Sequence, residues 1–273
     1  MKHLILGSSG QIGYHLQKYL REKNEEIIEF DIVRSPQEDL RIYRNPLLEE
    51  KMKEADFVHF LAFDVGGSKY MKRYQDTYNF ISNNVRIMNT VFDSLKRHKK
   101  PFIFTSSQMS NMIYSSYGIL KAIGERYTKS LGGLVVKLWN VYGIERDSKK
   151  FHVITDFIKM AKEKGIIRMK TDGNESRQFL FADDCCECLY ILSKKYDEID
   201  REKSLHITSF EWVTIREIAE IVCKIHGNCT YIPGKRKDLV QLDKKNEPDP
   251  YILQFWKPKT KLEEGIKFIY ENI

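Results

Sequence analysis

Two side chains that can move protons lie four positions apart in the segment Tyr117-Gly-Ile-Leu-Lys121. On a helix this spacing places a phenol and an ammonium on one face. A phenol is normally protonated near neutral pH, but a nearby positive charge favours the phenolate. The phenolate can take the proton of a substrate hydroxyl while a hydride leaves the same carbon. Such chemistry also needs a serine near the substrate oxygen, and Ser106-Ser107 ends a predicted strand just before this helix.

A hydride acceptor needs its own site, and the start of the chain has the pattern for one. Gly7, Gly10 and Gly13 are spaced three and three, between an apolar strand and a helix. Glycines let backbone N–H groups approach a diphosphate at the helix start. The pattern predicts a bound nicotinamide dinucleotide, and a tight turn without a ligand is the alternative. The residues expected to contact the cofactor here are Gly7, Ser9, Gly10, Gln11, Ile12 and Gly13.

Asp31 ends the second predicted strand, 18 residues beyond Gly13. A carboxylate at this position accepts hydrogen bonds from the adenosine ribose and repels a 2′-phosphate, which favours NAD over NADP. Arg34 is close in the sequence and weakens that preference. A simple turn residue at the strand end is the alternative interpretation of Asp31.

Composition is typical of a globular protein, with 42% apolar and 30% charged residues among 273. The net charge of +7 suits phosphate-bearing ligands, and the basic run at 96–100 is interpreted as a solvated helix end, not a nucleic-acid site. No apolar run is long enough for a membrane span, and no signal pattern opens the chain. We expect a cytoplasmic protein without a metal.

The five cysteines are odd in number and clustered, which argues against a disulfide framework and for a reducing compartment. Cys185, Cys186 and Cys188 have no second ligand pair at zinc spacing, so buried small side chains are favoured over a metal site.

Strands and helices alternate through the first half of the chain, which predicts an α/β fold with a Rossmann-like, doubly wound parallel sheet. Residues 1–145 are expected to form the dinucleotide-binding domain. Residues 146–273 are expected to form mainly a small α/β substrate lobe, with some later segments returning to the sheet. One long helix is predicted from Tyr70 to Arg97.

At this point the sequence resembles the extended short-chain dehydrogenase/reductase family, in its NAD-dependent nucleotide-sugar epimerase/dehydratase branch. The resemblance covers nearly the whole chain. The motifs that carry it are Gly7-x-x-Gly10-x-x-Gly13, Asp31, Asp39-Leu40, Leu61-Ala62, Asn83-Asn84-Val85, Ser106-Ser107, Tyr117-Gly-x-x-Lys121, Asn140-Val-Tyr-Gly143 and Arg177-x-Phe-x-x-x-Asp183.

The resemblance implies a role for several of these residues. Asp39 and Leu40 are expected near the adenine, and Leu61 and Ala62 beside the cofactor. The catalytic trio is expected to be Ser107 (or Ser106), Tyr117 and Lys121. The expected substrate contacts are Asn140 and the arginines Arg177 and Arg236, which suit a diphosphate, although both arginines could be solvated surface residues.

His152 opens a predicted helix and resembles the His-Val-Ile segment of GDP-fucose synthases, where a histidine is the acid in epimerisation. A helix-start polar residue is the alternative. Gly67 lies in a Gly-Gly loop that resembles the one in GDP-sugar epimerases, where it would contact cofactor or sugar. A plain flexible loop is the alternative there.

Two departures from the family pattern refine the expected function. Gln108-Met109 stands where dehydratases have an Asp-Glu pair, and neither residue can shuttle a proton, so dehydration is disfavoured. Ser107 and Tyr117 are only ten residues apart, which indicates a shortened sugar-facing loop.

The sequence therefore predicts a nucleotide-diphosphate-sugar epimerase that works through a 4-keto intermediate, with GDP-sugars weakly favoured and a homodimer expected. A net C4 dehydrogenase or 4-ketosugar reductase is the rival enzyme. A non-catalytic NAD-sensing protein is the rival from another class.

Overall fold

The computed structural model describes residues 1–238 and 246–273. Its centre is a six-stranded sheet in which every pair of neighbouring strands is parallel. The strands are β1 (Lys2–Leu6), β2 (Glu26–Phe30), β3 (Phe57–Phe60), β4 (Phe102–Ser107), β5 (Leu134–Leu138) and, much later in the chain, β10 (Leu205–Ile207). The predicted doubly wound parallel sheet is confirmed.

The strand order is β2-β1-β3-β4-β5-β10. The chain leaves β1 toward one edge to form β2 and then returns to form β3 on the other side of β1. A crevice opens at the carboxyl ends of the strands where this order reverses, and ligands of doubly wound sheets bind there. The helices that connect these strands are α1 (Gln11–Glu22), α2 (Pro46–Glu54), α3 (Ser68–Tyr74), α4 (Tyr78–His98) and α5 (Ser116–Ser130).

The long helix predicted from Tyr70 to Arg97 is wrong as a single element, because the chain breaks between α3 and α4. Thr77 causes the break. Its backbone is extended and its hydroxyl accepts a hydrogen bond from the N–H of Phe80 at 3.3 Å, so it is the N-cap of α4. Helical periodicity continues across the cap, and the apolar pattern alone therefore does not reveal it.

The remaining elements form a smaller lobe and the cover of one sheet face. They are β6 (Asn140–Tyr142), α6 (Val153–Lys164), β7 (Ile166–Arg168), β8 (Ser176–Arg177), β9 (Phe179–Phe181), α7 (Ala182–Lys194), β11 (Val213–Thr214), α8 (Ile215–His226), β12 (Thr230–Ile232) and α9 (Leu262–Asn272). The short strands pair as β6 with β9, β7 with β12 and β8 with β11. Six of these elements were not predicted from the sequence, namely β6, β7, β8, β11, β12 and α9.

The apolar core has three parts, two against the faces of the large sheet and a third inside the lobe between α6, α8 and α9. Cys185, Cys186 and Cys188 of α7 are fully buried in the second part, where burial raises the pKa of each thiol. The division of the chain at residue 145 stays a prediction, since β10 belongs to the large sheet.

Among the described residues, no helix combines the length and the apolar character that a bilayer crossing requires.

Candidate active site

The turn after β1 can be built only with glycine at two of its positions. Gly7 has a φ of +89°, and a Cβ there would lie 2.8 Å from the Cα of Ala62, at the end of β3. A Cβ on Gly13 would lie 2.2 Å from the carbonyl oxygen of Gly7. The turn, the start of α1 and the end of β3 therefore meet without side chains between them, at the crevice between β1 and β3.

Two polar atoms at this turn are buried without a hydrogen-bond partner among the described residues. They are the hydroxyl of Ser8 and the side-chain amide nitrogen, Nε2, of Gln11. A buried polar group without a partner is costly, and a diphosphate would supply acceptors for both. The residues present therefore fit the dinucleotide predicted from the sequence. Ser8 was not among the predicted contacts, because a serine next to a glycine carries no signal of burial.

Asp31 follows β2 and faces the glycine turn. Its carboxylate accepts hydrogen bonds from the backbone N–H groups of Ser9 and Val33, both at 2.9 Å. Arg34 forms ion pairs with Glu29 and Glu38 instead of extending toward the turn. The cation that weakened the preference for NAD is thus engaged by carboxylates.

Asp39 and Leu40, the two residues expected near the adenine, lie in different environments, one ion-paired and one apolar. The Asp39 carboxylate is held by the guanidinium of Arg41, at 2.8 Å, and hydrogen bonds from Arg41 lower the pKa of Asp39. Leu40 is buried in the apolar core. Leu61 and Ala62 follow β3 at the crevice, where Ala62 contacts Gly7.

Lys121 lies in a buried position between α5 and β4. Its ammonium donates a hydrogen bond to the carbonyl oxygen of Thr105 at 2.6 Å and lies 3.8 Å from the ring centroid of Phe63. Burial lowers the pKa of Lys121 to about 7, although Glu125 acts in the opposite direction. An amine with this pKa is poised between its two protonation states at neutral pH.

Tyr117 precedes Lys121 by one helical turn. The Tyr117 ring packs edge-on against the ring of Phe63, with the two ring centroids 5.7 Å apart. Burial raises the pKa of Tyr117 to about 12, and a hydrogen bond with the Ser107 side chain acts in the opposite direction. A positive charge placed next to the phenol would lower this pKa. The structure brings Ser107, Tyr117 and Lys121 together.

Of the two candidate serines, Ser107 is the one near the phenol. The Ser106 hydroxyl instead donates to the Glu125 carboxylate at 2.5 Å. The catalytic roles of the trio stay predictions.

A cavity of about 650 Å³ opens between α3, β6, α6 and the loops of the lobe. Its walls carry many cations and fewer carboxylates. The cations are Lys69, Lys72, Arg168, Lys170, Arg177, Arg236 and Lys237. Burial and the neighbouring cations Lys69, Arg236 and Lys72 lower the pKa of Lys170, which Asp156 opposes. The excess of positive charge suits a ligand with two phosphates.

Three of the predicted substrate contacts, Asn140, Arg177 and Arg236, line this cavity. Arg177 is largely buried and its guanidinium lies 2.5 Å from the Asp238 carboxylate. The sequence did not point to Lys69, Lys72 or Lys170, since isolated lysines in a charged sequence carry no signal.

Tyr114 precedes α5 and interacts electrostatically with two residues of the cavity wall. The pKa of Tyr114 is raised, mainly by burial and then by the charge of Asp238, whereas Arg177 acts in the opposite direction. The charges of the cavity wall therefore act on the segment immediately before α5, three residues from Tyr117.

His152 also lines the cavity, as the N-cap residue of α6. Its Nδ1 lies 2.5 Å from the Glu145 carboxylate. Glu145 was not predicted as a site residue, because it lies in the loop between β6 and α6, where sequence spacing does not determine which side chains meet.

Gly67 does not line the cavity and supports this segment from behind. Its N–H donates to the Lys150 carbonyl at 3.0 Å, and a Cβ would lie 2.2 Å from the Phe151 carbonyl oxygen. The predicted contact between Gly67 and cofactor or sugar stays a prediction.

The shortened loop between Ser107 and α5 is tightly packed. A Cβ on Gly118 would lie 2.3 Å from the carbonyl oxygen of Met109. The carbonyl oxygen and side-chain oxygen of Gln108 both accept hydrogen bonds from the Asn246 amide, at 2.9 and 3.0 Å. Gln108 is therefore engaged by the polypeptide at the position where dehydratases have an acid.

The sequence is similar to known proteins with several different named activities. GDP-L-fucose synthase of Sinorhizobium fredii is 28% identical over 177 residues, which cover 57% of this chain and 53% of that protein. The chain thus spans about half the length of that relative. GDP-mannose 3,5-epimerase 1 of Oryza sativa subsp. indica is 23% identical over an alignment that covers 97% of this chain and 80% of that protein.

The fold is shared with solved structures. UDP-glucose 4-epimerase of Thermotoga maritima superposes with a TM-score of 0.78 at 21% identity, covering 99% of this chain and 98% of that one. The family model described as "NAD dependent epimerase/dehydratase family" matches residues 3–208. The chain therefore belongs to the NAD dependent epimerase/dehydratase family.

Proposed function

We propose that this protein is an NAD-dependent epimerase of a nucleotide-diphosphate sugar and that it works through a 4-keto intermediate. The observation that carries the proposal is the proximity of two half-sites. The trio of Ser107, Tyr117 and Lys121 lies at the carboxyl ends of the strands. Charges on the wall of a cation-lined cavity of about 650 Å³ act on Tyr114, which lies just before the same helix.

The trio has the groups that oxidation of a C4 hydroxyl needs. The glycine turn and Asp31 would hold NAD, which when bound would accept the hydride and return it. Tyr117 takes the hydroxyl proton as a phenolate, and Ser107 holds the substrate oxygen. The ammonium of Lys121 favours the phenolate, because an opposite charge nearby stabilises the charged form.

The cavity supports a nucleoside diphosphate as the half of the substrate that stays bonded to the sugar and anchors it. Arg177 and Arg236 offer planar guanidinium groups for bidentate contacts with phosphate oxygens. The curated relatives that act on GDP-sugars favour a guanosine donor weakly, since UDP-glucuronic acid decarboxylases of Arabidopsis thaliana match as well. Dehydration is disfavoured because Gln108 cannot transfer a proton.

Net redox chemistry at C4 is the rival activity. One structural neighbour, MlghC of Campylobacter jejuni, is a GDP-mannoheptose C4 reductase and superposes with a TM-score of 0.80 at 19% identity. The same trio serves a reductase, so the difference lies in whether the ketosugar is released before hydride returns. Arg34 is held near Asp31 by ion pairs with Glu29 and Glu38, so it is not free to bind a 2′-phosphate. This favours NAD over NADP for either activity.

A panel of GDP- and UDP-sugars incubated with the protein and NAD in deuterated water tests the proposal. An epimerase forms an isomer and leaves the final absorbance of reduced nicotinamide unchanged. Deuterium at C3 or C5 identifies inversion next to the ketone, and an isomer without label identifies inversion at C4. A stoichiometric change in reduced nicotinamide would favour the rival, and no turnover of any sugar would favour the non-catalytic NAD-binding protein.

We further propose that the protein is a homodimer. Exposed apolar side chains follow one face of α4 and α5, and contact with a second copy would bury them. They are Tyr78, Ile81 and Val85 on α4 and Ile119, Ile123 and Tyr127 on α5. Ile123→Glu should shift the mass measured by light scattering from dimer to monomer, and an unchanged mass would contradict the proposal.

A further inference from the structure

A buried carboxylate grips His152 at two points. One oxygen of Glu145 accepts the backbone N–H of His152 at 3.0 Å, and the other lies 2.5 Å from the ring Nδ1. The Glu145 side chain is 7% exposed, whereas that of His152 is 43% exposed and lines the cavity. Glu145 thus holds the ring from the protein side and leaves its other edge to a ligand.

The charge of Glu145 is maintained despite its burial. Burial alone would raise its pKa, but hydrogen bonds from His152 and Thr155 outweigh this effect and hold the pKa below the ordinary value. Glu145 is therefore an acceptor at neutral pH. An acceptor on Nδ1 places the ring proton there, which leaves the lone pair of a neutral imidazole on Nε2.

The loop that carries Glu145 is fixed to the cofactor helix. The N–H of Ile144 donates to Nε2 of His15 at 3.1 Å, and Nδ1 of His15 lies 2.7 Å from the Asp183 carboxylate. A Cβ on Gly143 would lie 2.6 Å from Cβ of Ala182, so the loop lies close against α7. The carboxylate that orients His152 is in this way positioned by α1 and α7.

The other side of His152 is fixed as well. The backbone before it packs on Gly67, whose N–H binds the Lys150 carbonyl at 3.0 Å. His152 itself caps α6, and the Asp156 N–H donates to its carbonyl oxygen at 2.9 Å. Backbone and ring are both held, which is the condition for a side chain that must act in one orientation.

We propose that Glu145 is a positioning residue that locks His152 in the Nδ1–H tautomer, so that Nε2 exchanges a proton with the sugar carbon next to the C4 ketone. The proposal rests on the proposed function and extends it. The C–H bond breaks, its electron pair enters an enolate with the negative charge on the former carbonyl oxygen, and Nε2 takes the proton. Transfer of a solvent-derived proton from Nε2 back to that carbon restores the ketone, and it inverts the centre only when the planar enolate has turned its opposite face toward the ring.

The tautomer can be measured without any substrate, by ¹⁵N NMR of the imidazole in the full-length protein with NAD. The wild type is expected to show the Nδ1–H form of neutral His152. In Glu145→Gln the side-chain oxygen of the glutamine should still accept the hydrogen bond from the backbone N–H of His152. The NH₂ group of the glutamine then faces Nδ1 as a donor. The tautomer should therefore invert to Nε2–H. An Nε2–H tautomer in the wild type would overturn the proposal without any variant.

The catalytic consequence is measured with GDP-mannose and UDP-glucose as probes in deuterated water. Glu145→Gln should reduce deuterium uptake at C3 or C5 by roughly 10²-fold, the lower end of what general acid–base catalysis contributes. Hydride transfer at C4 should stay within about twofold, because His152 takes no part in it. Glu163→Gln, which removes the same charge from the exposed side of α6, is the matched control and should change neither reading.

Two outcomes would overturn the proposal, namely equal label uptake in wild type and Glu145→Gln, or an isomer formed by the wild type with no label at C3 or C5. A wild type that transfers no hydride with any sugar would instead overturn the proposed function. The tautomer measurement would still decide whether Glu145 orients His152.

Discussion

The two halves of the site are built in opposite ways. The cofactor-facing half uses residues close to the ends of β1, β3 and β4 and buries most of its polar groups, including Lys121 and Ser107, while Tyr117 is partly buried. The substrate-facing half takes its cations from α3, β7, β8 and the loop after β12, and most of them keep contact with solvent. The proposed reaction centre thus depends on burial and the proposed binding wall on charge, so different substitutions should affect each.

Replacement of the phenol should have the largest effect. Tyr117→Phe removes the group that takes the hydroxyl proton, and we expect turnover of a competent nucleotide sugar to fall by about 10³-fold. Affinity for NAD, measured by calorimetry, should change little because the ring still packs on Phe63.

The control for this substitution is Tyr127→Phe, which removes a phenol from the exposed face of the same helix. It should leave turnover unchanged. Undiminished turnover in Tyr117→Phe would mean that the proton acceptor is another residue and that the two halves of the site do not meet at this helix.

A pair of glycine substitutions separates the two halves. Gly13→Ala forces a Cβ against the Gly7 carbonyl and should weaken NAD binding by about 10-fold or more, with a loss of stability typical of overpacking. Gly67→Ala forces a Cβ against the Phe151 carbonyl and should displace the segment that carries His152. We expect it to raise KM for the nucleotide sugar by a similar factor while NAD affinity is retained.

Gly10→Ala serves as the comparison for packing, since its Cβ would meet only the Gly7 carbonyl, at 3.3 Å. Its melting temperature should lie near that of the wild type. If Gly13→Ala and Gly67→Ala weakened NAD and sugar binding equally, the two halves would not be independent structures.

The cofactor-facing half was predicted from the sequence more completely than the substrate-facing half. Gly7, Gly13, Tyr117 and Lys121 were found because each lies in a short motif whose spacing is dictated by one turn or one helix face. Glu145 and Lys69 were missed because their partners, His152 and Asp156, are brought close by the loops and by packing of the lobe. Local spacing does not encode such contacts.

The same distinction applies to the fold. The parallel strands of the large sheet were predicted from continuous apolar runs between helices, which burial on both faces requires. The two- and three-residue strands of the lobe, such as β8, have no periodicity long enough to detect. The break at Thr77 was missed because a cap depends on one side-chain hydrogen bond and leaves the apolar pattern unchanged.

The smallest expected effect concerns stability and its dependence on pH. Burial lowers the pKa of Lys121 from an ordinary value of 10.5 to about 7 in the folded protein. Between these two pH values the unfolded chain binds a proton that the folded protein has released, so the stability of the wild type rises with pH. Below pH 7 both states are protonated, and the full cost of burying the ammonium is present.

Lys121→Met removes that cost and fills the same space. Without NAD, the variant should melt about 5 °C higher than the wild type at pH 7, although loss of the hydrogen bond to Thr105 offsets part of the gain. The difference should shrink as the pH rises toward 10, and turnover should be lost throughout. Calorimetry at a series of pH values measures the melting temperatures of both proteins. The other titratable groups are the same in the two proteins, so their contributions cancel in the difference. A gap in melting temperature that stayed constant with pH would show that Lys121 is charged in the folded protein over the whole range. The cofactor-facing half would then hold a permanent charge in spite of its burial, as the cation-lined wall does.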